Sequence, residues 1–175
     1  MPMMRLMKRF TLDAKTWLLL GALASALLLG GAHAFETFGR YEPCELCYRQ
    51  RDVHWLAVWF GVLGFGVSFW RPGVARIACV VLGLIFLAST AVAAYHAGVE
   101  WKWWPGPASC TGAHFKGVSA ADLAGLLNGV QNHVVACDDA AWRMFGVSMA
   151  GYNALASAVL AGLSFVFAYR SFRRG

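Results

Sequence analysis

Four stretches of the 175-residue chain, at about residues 16–35, 53–70, 74–95 and 146–169, approach the roughly 20 consecutive apolar residues a helix needs to cross a bilayer core. With 59% apolar and only 14% charged residues, the chain is too apolar for an ordinary soluble domain of its size. The reading that follows is an all-α membrane protein. It is a single four-helix transmembrane bundle over residues 1–175, with two outer loops at about 36–52 and 97–145.

Basic residues orient the spans, because Lys and Arg in short flanking loops favour the cytoplasmic side. Arg5, Lys8, Arg9 and Lys15 precede the first stretch, Arg71 and Arg76 lie between the second and third, and Arg170, Arg173 and Arg174 end the chain. These nine face one acid, Asp13, whereas the other two loops carry six basic residues and eight acids. Both termini are therefore expected in the cytoplasm. The same distribution accounts for the net charge of +6, so nucleic-acid binding is set aside. A basic start followed by an apolar stretch and Ala32-His33-Ala34 also has the look of a signal peptide. The apolar stretch from Trp17 exceeds the roughly 7 to 15 residues of a signal core, which favours an uncleaved helix.

Arg71-Pro72-Gly73 reads as a tight cytoplasmic turn. In the long second loop, Ser119 and Asp122 precede Leu123, Leu126, Leu127, Val130 and Val134, a capped amphipathic helix. It either lies in the membrane interface or packs on the ends of the other helices. Trp55, Trp70, Trp101, Trp103, Trp104 and Trp142 fall near span ends and suit interfacial anchors, with stacking on a cofactor ring as the alternative for any one of them.

Of five cysteines, Cys44, Cys47, Cys110 and Cys137 lie in the outer loops and Cys79 within a span, where it suits a small buried apolar residue. Disulfides persist in oxidising compartments, which fits two exposed pairs. Cys44-Glu45-Leu46-Cys47 has the two-residue spacing of a readily exchanged disulfide. Half a zinc site or a static bridge are its other readings. The motif opens the second helix, whose N-terminal dipole stabilises a thiolate, and Arg49 and Arg51 add positive charge. Arg51, one turn beyond Cys47, suits the thiolate, a cofactor carbonyl or a lipid phosphate. Cys110 follows Pro105-Gly106-Pro107, an extended lead-in suited to presenting its sulfur to a partner, though a static bridge with Cys137 is also consistent. His96, near the outer end of the third stretch, suits a hydrogen bond to a quinone carbonyl or an ordinary interfacial position. His33, His54, His114 and His133 show no metal-ligand spacing with the cysteines.

The order of these features resembles the disulfide bond formation protein B family (DsbB), the membrane partner of the periplasmic oxidant DsbA. The resemblance covers essentially the whole chain: four apolar stretches, Cys44-x-x-Cys47-Tyr48-x-x-Arg51, Pro105-x-Pro107-x-x-Cys110 and Cys137-x4-Trp142-x3-Gly146. It implies a bacterial inner-membrane thiol oxidoreductase with periplasmic redox loops that reoxidises DsbA and reduces a membrane quinone, ubiquinone or else menaquinone. Carried onto this sequence, it implies that Cys110 forms the mixed disulfide with DsbA and that Cys137 is its partner in the loop disulfide. The resemblance likewise implies that Cys44 and Cys47 form the membrane-proximal disulfide, that Cys47 is the sulfur contacting the quinone ring and that Arg51 supports that contact, while His96 matches the family histidine. The stretch from His96 to Cys110 differs slightly in length from better-known members. A vitamin-K-epoxide-reductase-like enzyme shares the chemistry but has its loop cysteines before the CxxC motif, the reverse of the order here. A metal-binding or structural membrane protein would use the same thiols without turnover.

Overall fold

The computed structural model describes residues 13–107 and 136–174. Its elements in chain order are α1 (Ala14–Gly39), α2 (Glu45–Val67), α3 (Val74–Glu100), a two-stranded hairpin of β1 (Arg143–Met144) and β2 (Val147–Ser148), and α4 (Met149–Arg174). The amphipathic segment expected at 119–134 lies outside the described residues, as does Cys110.

Three helices, α1, α3 and α4, are long and apolar enough to cross a membrane by length and composition. The second does not meet that mark because its opening turns carry Arg49, Gln50, Arg51, Asp52 and His54. It nevertheless packs lengthwise against α1 in the antiparallel sense. Arg51 reaches Ala32 and Glu36 at one end, and Gly61 lies against Leu18 and Ala22 further along. Helix α4 closes the bundle, mainly on α3.

The polarity of the bundle is inverted relative to a soluble protein. Ser25, Ser89, Ser157 and Ser164 are completely buried, while Leu27, Leu63 and Leu155 are 77%, 64% and 61% exposed. An apolar solvent outside makes that arrangement favourable, because polar groups unable to find water must pair with each other inside. Small residues let the helices approach closely. A Cβ at Gly61 would stand 2.7 Å from the Leu18 carbonyl oxygen and 2.9 Å from the Ala22 Cβ. The lower core is conventional: Trp17 stacks on Phe167 with ring centroids 4.8 Å apart, and its indole N–H donates to Ser164 Oγ at 2.9 Å.

Several expected boundaries shift. The expected first loop shrinks from 36–52 to residues 40–44, because charged residues that looked like loop belong to the helix ends: Arg51 pairs with Glu36 between α2 and α1, and Arg49 pairs with Glu45 one turn away within α2. Helix α1 runs unbroken through Ala32-His33-Ala34. Helix α2 stops at Val67 rather than residue 70, where the Ser68 hydroxyl donates to the Gly64 carbonyl and helps end it. A tight turn does form at Arg71-Pro72-Gly73, with the Val74 N–H donating to the Arg71 carbonyl at 2.9 Å. Helix α3 continues to Glu100, beyond the expected end at 95. The fourth helix begins at Met149 instead of 146 because Phe145 and Gly146, with φ of 50° and 80°, form the two-residue turn of the hairpin. Two consecutive positive φ values match the twist of the paired strands.

Substitution of Gly61 by Ala is expected to cost about 1–3 kcal/mol, since the opposing atom is backbone and cannot swing aside. Gly30, whose Cβ position is open, is expected to tolerate the same change. Thermal unfolding of the two variants in detergent checks the contrast.

Candidate functional site

Cys44 is the N-cap of α2, its extended backbone (φ −78°, ψ 174°) turning the chain into the helix while its sulfur accepts from the Cys47 N–H at 3.4 Å. A polar N-cap satisfies one of the orphan N–H groups at a helix start, and here that acceptor is a reactive thiol. Cys47 comes one turn later, so the helical rise brings the two sulfurs to 3.0 Å, with Cys44 donating to Cys47. Both are free thiols, as is the fully buried Cys79, whose thiol donates to the Ala14 carbonyl.

The donated S–H from Cys44 is the main influence holding the Cys47 thiol below its ordinary range. Burial and the Glu100 carboxylate oppose that effect, and the Arg51 charge adds to it. The same bond pushes Cys44 upward, with burial second. Of the two sulfurs, Cys47 is therefore the one that ionises more readily.

Cys137 is held in a disulfide and is almost wholly buried. Its sulfur, the Cys44 sulfur and a ring nitrogen of His96 all lie within 4.8 Å of one another. Three candidate ligands at that spacing resemble a metal centre, but a disulfide sulfur lacks the thiolate charge that binds zinc. The segment carrying Cys137 is tied to the end of α3. Lys102 Nζ pairs with Asp138 Oδ2 at 2.6 Å, holding that carboxyl below the usual range, and the Arg143 guanidinium donates to the Glu100 carbonyl at 3.2 Å.

A cavity of about 420 Å³ opens beside the sulfurs. Leu27, Leu28, Ala32 and Ala156 supply apolar wall, and Cys44, Cys47, Arg51 and His96 line it too. Of the site residues read from the sequence, Cys44, Cys47, Arg51, His96 and Cys137 thus come together, while Cys110 lies outside the described residues. Arg51 is not a lone cation: Nη1 donates to Glu36 Oε2 at 2.6 Å and Nη2 to the Ala32 carbonyl at 3.3 Å. Among the tryptophans, Trp142 differs from the exposed rings by standing half-buried in the cavity wall, edge-on to Phe35 with centroids 5.3 Å apart.

Sequence reasoning missed four polar neighbours. Glu100 reads as a loop acid but is buried, 3.7 Å from His96 Nε2 and accepting from the Ser148 hydroxyl. His54, set aside for lack of metal spacing, bonds Asn153 at 2.8 Å inside the bundle. Gln50 and Asn153 bond each other at 2.7 Å. The available signal was their position: polar side chains within otherwise apolar helices.

A family model described as disulfide bond formation protein DsbB matches residues 14–167. The chain belongs to this family of disulfide-forming thiol oxidoreductases, whose partners are DsbA-like proteins, and its apolar helices make it a membrane protein. No curated protein and no solved structure matches the chain.

With the pair reduced, alkylation of Cys47 is expected to reach half its maximal rate below about pH 8.5, the free-thiol value. Cys44→Ala is expected to move that midpoint upward, whereas Cys44→Ser, which keeps a donor, retains part of the depression. Site-resolved mass spectrometry of alkylated protein reads both.

Proposed function

We propose that this chain reoxidises a periplasmic DsbA-type dithiol oxidase and delivers the two electrons to a membrane quinone. The observation that carries the reading is the approach of Cys137 to Cys44 beside an apolar cavity. Thiol–disulfide exchange requires a thiolate to reach a disulfide sulfur directly, so two sulfur pairs act in series only when they are this close.

Cys110 is assigned as the disulfide partner of Cys137 and as the sulfur that captures the DsbA-type protein. Attack there releases Cys137 as a thiolate. When Cys44 and Cys47 are disulfide-bonded, Cys137 attacks Cys44, the Cys44–Cys137 bond forms, the Cys44–Cys47 bond breaks, and the electron pair leaves on Cys47. In that state Cys44 has no S–H to donate, so the departing Cys47 thiolate is stabilised by the Arg51 charge, and a more stable thiolate departs faster. Arg51 adds positive charge at that sulfur while Glu36 and the Ala32 carbonyl hold its guanidinium in place.

The cavity fits a quinone by size and by lining. Its volume falls at the lower end of small-molecule pockets, and a mostly apolar wall ends in a few polar groups. Cys47 and Arg51 would hold the head group where His96 lines the cavity, with Trp142 available as a ring wall. A bound quinone supplies an acceptor for two electrons and two protons, a pull that an ordinary dithiol lacks against so strong an oxidant as DsbA. The type of quinone, ubiquinone or menaquinone, is a matter for direct extraction.

In this reading α2 crosses the inner membrane with the other three helices and both termini are cytoplasmic, which its lengthwise packing on α1 and the distribution of basic residues support. The redox loops then face the periplasm.

Purified protein supplied with ubiquinone is expected to oxidise a reduced DsbA-type protein with loss of quinone absorbance; no quinone consumption would favour a structural role for the thiols. Arg51→Ala is expected to slow quinone reduction about tenfold or more, the scale of one lost charge-assisted contact, with the Cys137 disulfide still formed. Cys110→Ser is expected to abolish the covalent complex with the DsbA-type protein on non-reducing gels.

A further inference from the structure

A run of side-chain hydrogen bonds crosses the bundle from its middle to the Cys44 sulfur. The His54 ring and Asn153 Oδ1 bond at 2.8 Å, Asn153 Nδ2 donates to Gln50 Oε1 at 2.7 Å, and Gln50 Nε2 lies 2.7 Å from His96 Nδ1. His96 Nε2 then lies 3.6 Å from Cys44 Sγ. These residues sit on α2, α3 and α4, and Gln50, His54 and His96 are buried.

The orientation of each group follows from one fixed acceptor. Gln50 Nε2 also lies 3.3 Å from the Leu46 carbonyl, which can only accept. The amide nitrogen must therefore face that carbonyl, and its second hydrogen points at His96 Nδ1. A ring nitrogen that receives a hydrogen bond carries no proton, so the neutral imidazole holds its hydrogen on Nε2. Asn153 locks the other side of the amide, since Gln50 Oε1 accepts from it.

We propose that Gln50, braced by Asn153, is a positioning residue that keeps the His96 proton on Nε2, aimed at the Cys44 sulfur. The groups facing Nε2 are Cys44 from the mouth of α2 at 3.6 Å and Glu100 Oε1 from α3 itself at 3.7 Å, and Cys137 also meets the ring through its sulfur and a backbone hydrogen bond. All are acceptors for an N–H. His96 is then a donor to Cys44 in the resting ring form. Amides do not pass protons along without changing their bonding, so the chain orients the ring and is not a proton wire.

The inference rests on the proposed disulfide relay and specifies a step within it. After the second thiol of the DsbA-type protein attacks the mixed disulfide, the oxidised partner leaves and Cys110 is released as a thiolate. When that thiolate attacks Cys137 in the Cys44–Cys137 disulfide, the loop disulfide re-forms, the Cys44–Cys137 bond breaks, and the electron pair leaves on Cys44. The Nε2 hydrogen meets that charge as it develops, without the ring having to turn or exchange its proton first.

The test uses the full-length protein in lipid nanodiscs with 15N-labelled histidine. The nitrogen shifts of His96 are expected to show the proton on Nε2. Gln50→Glu substitutes an acceptor of the same size and is expected to move the proton to Nδ1. In a Cys47→Ser background, the alkylation midpoint of Cys44 is expected to rise by about one pH unit in Gln50→Glu, the scale of one hydrogen bond to a charged sulfur. Gln50→Leu adds no charge and is expected to shift it in the same direction, separating the lost donor from the added carboxylate. A proton found on Nδ1 in the parent protein, or a Cys44 profile unmoved in both variants, overturns the inference. Neither readout involves quinone or a DsbA-type partner, so failure of the proposed reaction and failure of this positioning role are distinguishable.

Discussion

A helix bundle whose outside is apolar must satisfy its interior polar groups from within, because neither lipid nor bulk water supplies partners there. Among the described residues no buried side-chain nitrogen or oxygen lacks one. Serines on α1, α3 and α4 gather around His54, and the amides of Gln50 and Asn153 carry the pairing outward to His96. The requirement that holds the helices in register thus also presents an oriented imidazole to the sulfur at the mouth of α2.

The redox chemistry depends on a second piece of positioning at the surface. Cys137 follows a long excursion of the chain, yet its sulfur ends beside Cys44 because the adjoining residues are clamped to the end of α3, Asp138 by Lys102 and Arg143 by the Glu100 carbonyl. Glu100 itself is pinned by the Ser148 hydroxyl at the foot of the hairpin. The hairpin therefore has a structural purpose: it sets where α4 starts and keeps the returning chain against the sulfur site.

The apolar stretches at 16–35 and 74–95 were legible because lipid-facing helices announce themselves by composition, and each falls inside a helix. Cys44 and Cys47 were legible through spacing and their place at a helix start. The helix mouths were not, since Arg51, Glu36 and Glu100 look like loop residues until their partners are known, and those partners are distant in sequence. The hairpin was hidden for a similar reason: Met144, Phe145 and Val147 extend the apolar run of α4 without a break in composition. Gln50 and Asn153 are separated by 103 residues, and only the folded bundle shows that they meet.

Because the residue closing the start of α2 is itself a reacting sulfur, the firmness of that helix end is coupled to oxidation state. A thiol or thiolate at Cys44 is a better acceptor for the Cys47 N–H than a sulfur tied into a disulfide, and negative charge there also complements the helix dipole. Opening a disulfide at Cys44 is therefore expected to firm the first turn of α2, and with it the part of the cavity wall that Cys44 and Cys47 form.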